Sequence, residues 1–163
     1  MAQQIDTTNP QQIAERCAFP LSGRIIAIDP GMKRVGVAVS DESQTIARPI
    51  RRLERTSWKN LLADIKDIVR EFDAVALVIG LPLASDGTES EMSAEARDMA
   101  RKLELSLEIA VFLQDERVTS YEAKAKLWER GISLRETRDR VDSEAAALIL
   151  TDFLTAVEQD RQG

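Results

Sequence analysis

Residues 23–41 constrain the fold of this 163-residue chain more than any other stretch. A short β-branched run at 24–28 leads into Asp29-Pro30-Gly31, and alternating valines follow. This pattern predicts a strand, a turn and a second strand. Pro30 fixes its own φ and Gly31 is expected to supply a backbone conformation that other residues resist, so the chain should reverse just after Asp29. Asp29 is then either a simple turn former or an acidic group held at the end of a buried strand.

Apolar periodicity predicts the remaining elements of the chain. They are a polar edge strand at 44–53, a helix that begins after Thr56 or Ser57, a buried strand at 74–79, a helix opened by a capping box of Thr88 with Glu91, a buried strand at 109–113, a helix opened by Thr119 with Glu122 and ended by Gly131, an arginine-rich loop at 132–140, and a last helix that starts near Val141 or Asp142.

This order of elements is a mixed α/β plan with helices on both faces of one sheet. Right-handed crossovers make the fourth and fifth strands parallel to the first, which gives the strand order 3-2-1-4-5 of a ribonuclease H-like fold. We expect a single domain over residues 23–158, a mobile N-terminal extension at 1–22 and a polar tail at 159–163.

Composition narrows the chemistry that is open to such a domain. The chain has no histidine, which excludes Ser-His-Asp and Cys-His relays and most zinc sites in their common forms. With one cysteine, no secretory leader pattern and no run of about 20 apolar residues, we expect a cytoplasmic protein without a membrane partner. Catalysis by this chain would have to use carboxylates, with a hard metal ion that prefers oxygen ligands.

Acidic residues follow the predicted parallel strands, where functional groups of α/β sheets collect. The candidates are Asp29, Asp86, Asp115, Glu116 and, in the first turn of the last helix, Asp142. Clustered carboxylates repel one another, so a divalent cation would explain their proximity. Two such ions about 4 Å apart activate a water and stabilise the leaving oxygen in phosphodiester cleavage.

Each carboxylate also has a structural interpretation. Asp86 before Gly87 is a common turn pair, Asp142 suits a helix N-terminus, and Glu116 has a neighbouring arginine as a partner. Asp115 and Glu116 alternate across the pleat, so only one of them can point into a given site; Glu116 is preferred for its longer side chain.

Basic and hydroxyl residues lie beside these carboxylates in the sequence. Lys33, Arg34 and Arg117 are candidates for contacts with the phosphates of a bound strand. Thr119 and Ser120 begin a predicted helix, whose N-terminal N–H groups suit the same purpose. We therefore predict nucleic acid as the partner.

Four blocks of the sequence resemble the signature of the YqgF family, also called RuvX. They are 27–41 with Asp-Pro-Gly and Lys-Arg-Val-Gly, 80–88 with Gly-Leu-Pro-Leu and Asp-Gly-Thr, 115–119 with Asp-Glu-Arg and Thr119, and 141–146 with Val-Asp-Ser and Ala-Ala. The resemblance spans residues 24–154 and implies a bacterial, metal-dependent nuclease that matures the 5′ end of 16S ribosomal RNA. It also implies that Asp29, Glu116 and Asp142 are the catalytic, metal-binding residues, with Mg²⁺ or Mn²⁺ as two ions.

Two other functions stay open at this point, and a third is disfavoured by the length of the chain. Family members are also named Holliday-junction resolvases, and the sequence does not separate precursor ribosomal RNA from branched DNA as the substrate. A noncatalytic module that binds nucleic acid in pre-ribosomal particles is compatible with the net charge of −6. A sugar-kinase-like phosphotransferase would need a second lobe that one domain cannot provide. The sequence does not reveal the oligomeric state.

Overall fold

The structure is a computed structural model that describes residues 20–84, 86–115 and 134–162, with only the backbone at 134–142, 160 and 162. Its centre is one five-stranded sheet in the order β3-β2-β1-β4-β5, as predicted. The strands are β1 (Ile25–Pro30), β2 (Arg34–Ser40), β3 (Ala47–Glu54), β4 (Ala76–Leu81) and β5 (Ala110–Asp115). β1 pairs antiparallel with β2 and parallel with β4, and β5 is parallel to β4. This is the predicted ribonuclease H-like sheet.

Three helices lie in the described residues: α1 (Trp58–Glu71), α2 (Glu91–Ser106) and α3 (Leu134–Gln162). Ser57 caps α1 by accepting the N–H of Asn60 at 3.1 Å. The predicted helix between Thr119 and Gly131 lies outside the described residues. None of the helices described is both long and apolar enough to cross a membrane.

The capping box of α2 is formed by other residues than predicted. Ser90, not Thr88, is the N-cap, and Ser93 takes the role assigned to Glu91. The N–H of Ser90 donates to Ser93 Oγ at 2.7 Å, and the N–H of Ser93 donates to Ser90 Oγ at 3.3 Å. Thr88 is used elsewhere, because its N–H and hydroxyl both donate to Asp86 Oδ1.

The predicted loop at 132–140 is also wrong, because α3 already begins at Leu134. The charged residues of this segment suggest a loop between two helices. They contain no glycine or proline, and they place opposite charges four residues apart, as at Glu136 and Arg140, a spacing that favours exposed helices. At the other end, α3 continues through residues 159–162.

The sheet separates two apolar cores. On one side, β1 residues Ile26 and Ile28 pack with α1 and α2. On the other side, Ile25 and Ala27 pack against α3, where Phe112 and Phe153 have ring centroids 5.5 Å apart. Alternation along each strand therefore assigns every sheet residue either to the α1–α2 side or to the α3 side.

The turn after β1 differs from the prediction in position and in mechanism. Asp29 and Pro30 are strand residues paired with Gly36 and Val35, so the reversal falls at 31–33. The described glycines with positive φ are Gly23 and Gly87, not Gly31. Gly31 is required by close approach instead, because a Cβ there would lie 2.5 Å from the Arg34 carbonyl oxygen.

Candidate active site

Asp29 lies at the carboxyl end of β1 on the α3 side of the sheet. Ala27, two residues earlier on the same face, is completely buried, whereas Asp29 is half-buried. The buried strand fixes the backbone, and the turn at 31–33 directly follows. The predicted position of Asp29, near the end of a buried strand, is therefore confirmed.

The strand register sets a glycine on each side of Asp29. Asp29 pairs with Gly36 of β2. On the β4 side, Ile28 pairs with Ile79, and one further step in this parallel register sets Asp29 beside Gly80. The residue beside Asp29 is thus a glycine on each neighbouring strand, and both glycines are buried.

A polar row crosses all five strands at this level on the α3 side. Gly36 pairs onward with Arg52 of β3, and Gly80 pairs onward with Gln114 of β5. One row closer to the centre of the sheet, the paired residues are apolar; from β3 to β5 they are Pro49, Ala38, Ala27, Val78 and Phe112. All of them except the exposed Pro49 belong to the core under α3. The polar row is therefore the boundary between that core and the rim of the sheet.

Sequence reasoning missed the ends of this row, Arg52 and Gln114. The side of the sheet on which Arg52 lies could have been predicted, because Leu53 beside it is the one buried residue of β3 and the adjacent residue of a strand points to the opposite side. The alignment of Arg52 with Asp29 could not have been predicted, since it depends on a β2–β3 register that contains a bulge near Val37 and Ala38.

Asp115 lies on the opposite side of the sheet from Asp29. It follows Val111 and Leu113 in strand alternation, and both of those side chains belong to the α1–α2 core. The structure therefore does not bring Asp115 together with Asp29. Glu116, the next residue, lies outside the described residues, as do Arg117 and Thr119.

Asp86 is held in a local turn. Its Oδ1 accepts the N–H of Thr88 at 3.0 Å and the hydroxyl of Thr88 at 2.7 Å, and Gly87 follows it with a φ of 85°. These contacts agree with the structural interpretation of Asp86 as a turn residue, and its side chain is exposed in the loop after β4.

Helix α3 lies along one face of the sheet, and its C-terminal end is near the amino end of β1. Near its C-terminus, Arg161 contacts the Pro20 carbonyl oxygen, just ahead of β1. Its N-terminal half therefore extends toward the carboxyl end of β1, where Asp29 lies. Asp142 belongs to this helix and comes one turn before the fully buried Ala145 and Ala146; its side chain is outside the described part.

The basic residues near the turn have different surroundings. Lys33 is exposed in the turn, and Arg34, at the first position of β2, is half-buried on the α3 side. Arg55 instead fastens the turn, because it donates to the Gly31 carbonyl oxygen and to Glu95 of α2, both at 2.8 Å. Of the four residues predicted to contact phosphates, Lys33 and Arg34 lie in the described part of the chain.

Neighbouring hydrogen-bond donors lower the pKa values of Asp41, Glu89 and Asp98. Hydrogen bonds from Ser43 and from the backbone N–H groups of Ile46 and Thr45 lower the pKa of Asp41 far below its usual range. Arg97 and Ser93 lower the pKa of Glu89 through hydrogen bonds, and Lys102 and Arg101 do the same for Asp98. In the described ranges, no three acidic or cysteine side chains form a group that could hold a metal ion.

The five-stranded sheet in this order, with helices on both faces, defines a ribonuclease H-like fold. Two solved structures share this fold. RuvC of T. thermophilus in complex with a Holliday junction substrate has a TM-score of 0.50 at 19% identity, over 86% of this chain and 96% of that chain. The yeast mitochondrial Holliday junction resolvase has a TM-score of 0.54 at 10% identity, over 94% and 86%.

The particular family follows from sequence comparison. A family model described as "RuvX: Holliday junction resolvase" matches residues 23–156, and the chain belongs to this family. A protein of Anaeromyxobacter dehalogenans named "Putative pre-16S rRNA nuclease" is 42% identical over 131 residues, which are 80% of this chain and 96% of that protein. One of the same name in Syntrophus aciditrophicus is 40% identical over 138 residues, 85% and 92% of the two chains.

Proposed function

We propose that this protein is a metal-dependent endonuclease that hydrolyses phosphodiester bonds of precursor 16S ribosomal RNA at its 5′ end, in the bacterial cytoplasm. The observation that carries the proposal is the position of Asp29, which ends a buried strand between two glycines on the side of the sheet that α3 covers. The names of the curated relatives supply the substrate. Pre-ribosomal particles are then the natural setting of the reaction.

Asp29, Glu116 and Asp142 are proposed as the carboxylates that hold the metal. Their oxygen atoms suit Mg²⁺ or Mn²⁺, and a chain without histidine offers no imidazole ligands. The location of Asp115 on the α1–α2 side supports Glu116 as the acidic residue contributed by the end of β5. The course of α3 supports Asp142, since it precedes the buried Ala145 and Ala146 by one turn.

The chemistry of hydrolysis divides between the bound ions and the chain. When bound, two divalent ions supply a lowered pKa for an attacking water and stabilise the charge on the leaving oxygen. The carboxylates of the chain would hold those ions at the end of β1. Lys33 and Arg34, together with Arg117 and Thr119, are proposed to contact phosphates of the bound strand and so set its position.

A second candidate is cleavage of four-way DNA junctions. It is favoured by the description of the matching family model and by the two resolvases that share the fold. A resolvase that cuts two strands symmetrically is expected to be a dimer, whereas a nuclease that trims an RNA end has no such need. Gel filtration of the purified protein therefore separates the two, and a strict monomer would count against junction cleavage.

The direct test is cleavage of an end-labelled precursor of small-subunit ribosomal RNA beside a labelled four-way DNA junction. The parent, Asp29→Asn and the control Asp64→Asn, whose carboxylate is exposed on α1, are compared in Mn²⁺, in Mg²⁺ and in excess EDTA. We expect RNA cuts by the parent and the control in either metal, and none by Asp29→Asn or in EDTA.

Other results lead to other conclusions. Cuts in the junction alone would replace the RNA substrate by branched DNA. Equal cleavage by Asp29→Asn and the parent would refute the role of Asp29, and full activity in EDTA would refute the metal mechanism. RNA binding without any cleavage would make the protein a noncatalytic assembly module.

A further inference from the structure

Arg52 lies on the same side of the sheet as Asp29 and at the same level. Both residues pair with Gly36, one from each side, so Asp29, Gly36 and Arg52 form a line across β1, β2 and β3. Two strand spacings separate the ends of this line, about 10 Å. Because the middle position is a glycine, no side chain separates Arg52 from Asp29 along it.

The neighbours of Arg52 on β3 face the other way. Leu53 is buried in the core with α1 and α2. Arg51 pairs with Val37, another residue of that core, and its guanidinium donates to both carboxylate oxygens of Glu71 on α1, at 2.9 and 3.1 Å. Two adjacent arginines of one strand therefore lie on opposite sides of the sheet, and only Arg52 shares the side of Asp29.

We propose that Arg52 binds a phosphate of the substrate strand next to the scissile bond, on the β3 side of Asp29. The proposal rests on the nuclease function proposed above. A strand that presents one phosphate at Asp29 and continues over Gly36 brings the next part of its backbone to a guanidinium, which donates two hydrogen bonds in a planar fork that matches phosphate. Arg34, on the same side at the first position of β2, extends the positive surface.

Glu54 is the competitor of the phosphate for Arg52. Its Oε1 lies 3.1 Å from Arg52 Nη2, and the two side chains are 62% and 23% exposed. An ion pair with so exposed a carboxylate is weak and exchanges readily, whereas a phosphate at the rim brings a stronger acceptor. Glu54 thus keeps Arg52 oriented without substrate and is displaced when the strand arrives. Removal of this carboxylate should strengthen binding.

The experiment measures binding of the labelled precursor RNA by fluorescence anisotropy at several salt concentrations, with Asp29→Asn as the background so that bound RNA stays intact. Arg52→Gln, Arg52→Lys and Glu54→Gln are compared with Arg51→Gln, a matched control on the other side of the sheet. We expect Arg52→Gln to weaken binding on the order of 10-fold and to reduce the salt slope by about 1. Arg52→Lys should retain the slope, and Glu54→Gln should tighten binding by about 2- to 5-fold.

The outcomes distinguish this inference from the proposed function. If the parent cleaves the RNA in a metal-dependent manner but Arg52→Gln and Arg51→Gln bind it equally well, the role of Arg52 is wrong and the nuclease stands. If neither the parent nor Asp29→Asn binds the RNA, the proposed function fails and the inference fails with it. Weaker binding by Arg52→Gln alone, with opposite effects from Glu54→Gln, supports the phosphate contact.

Discussion

Arg161, in the last turn of α3, donates a hydrogen bond to Oε1 of Gln44, 117 positions earlier in the chain, at 3.2 Å. The same Nη2 reaches the Pro20 carbonyl oxygen at 3.2 Å. Gln44 in turn donates from Nε2 to the carbonyl oxygens of Pro20 and Gly23, at 2.9 and 3.1 Å. One buried amide therefore joins the lead-in to β1, the turn between β2 and β3, and the end of α3.

Replacement of Gln44 by alanine is expected to destabilise the fold. The substitution removes the amide that donates to the Pro20 and Gly23 carbonyl oxygens and accepts from Arg161, and it keeps a non-glycine residue at a φ of 60°. We expect a loss of about 1–3 kcal/mol in the free energy of unfolding, measured by urea denaturation. Glu42→Ala, in the same turn but exposed, is the control; equal losses in the two variants would contradict the role of the amide.

Asp41 should make stability depend on pH. Its carboxylate accepts the Ser43 hydroxyl at 2.6 Å and the N–H groups of Thr45 and Ile46 at 2.8 and 3.1 Å, and these bonds lower its pKa in the folded state. A carboxyl pKa that is lower in the folded state than in the unfolded state stabilises the fold at a pH above the unfolded-state pKa of about 3.9. This stabilisation is lost as the pH falls from there toward the folded-state pKa. Asp41→Asn should therefore unfold more easily than the parent at pH 7.

The same comparison at acid pH completes the test. As the pH falls below about 4, the Asp41 carboxylate begins to protonate in the unfolded chain but not in the folded protein, so the difference in urea midpoint between parent and Asp41→Asn should narrow. A difference that stays constant from pH 7 to pH 3 would show that the ionised form of Asp41 contributes nothing.

Gly31→Ala is expected to distort the turn that follows Asp29. A Cβ at this position would lie 2.5 Å from the Arg34 carbonyl oxygen, which also accepts the Gly31 N–H at 2.9 Å. We expect a cost of about 1–3 kcal/mol in thermal or urea unfolding, because a backbone atom has to move. Met32→Ala is the neighbouring control, since Met32 is 74% exposed. A Gly31→Ala protein as stable as this control would disprove the close approach.

Asp115 and Glu116 should respond differently to loss of charge. Asp115 lies on the side of the sheet away from Asp29, so Asp115→Asn should leave RNA cleavage within a few-fold of the parent, whereas Glu116→Gln should lower it on the order of 100-fold or more. Single-turnover cleavage in Mn²⁺ measures both. The reverse order of effects would mean that the wrong carboxylate of the pair was assigned to the site.

Local pattern was sufficient for most of the sheet and insufficient for the ends of its helices. Continuous apolar runs indicate buried strands, and β4 and β5 were found two residues or fewer from their predicted starts. Helix boundaries instead depend on competition for hydrogen bonds. Thr88 was an equally good N-cap by sequence, but it bonds to Asp86, which leaves Ser90 to begin α2.

The candidate site was also predictable only in the part that depends on residues adjacent in sequence. Asp29 was found because its strand, its turn and its carboxylate are adjacent in sequence. The glycines beside it and Arg52 beyond them come from three other strands, and their alignment depends on cross-strand register. A shift of one residue in β3 would have placed Arg51 on the side of Asp29 instead of Arg52.

The amino-acid sequence by itself determined the strand order and the family, because strand burial and motif spacing are properties of local residues. The tertiary structure decided which side chains share a side of the sheet: Asp29 with Arg52 and Gln114, and not with Asp115. The physical reason is that pleat and register are set by hydrogen bonds between strands far apart in the chain, and no local pattern encodes that pairing.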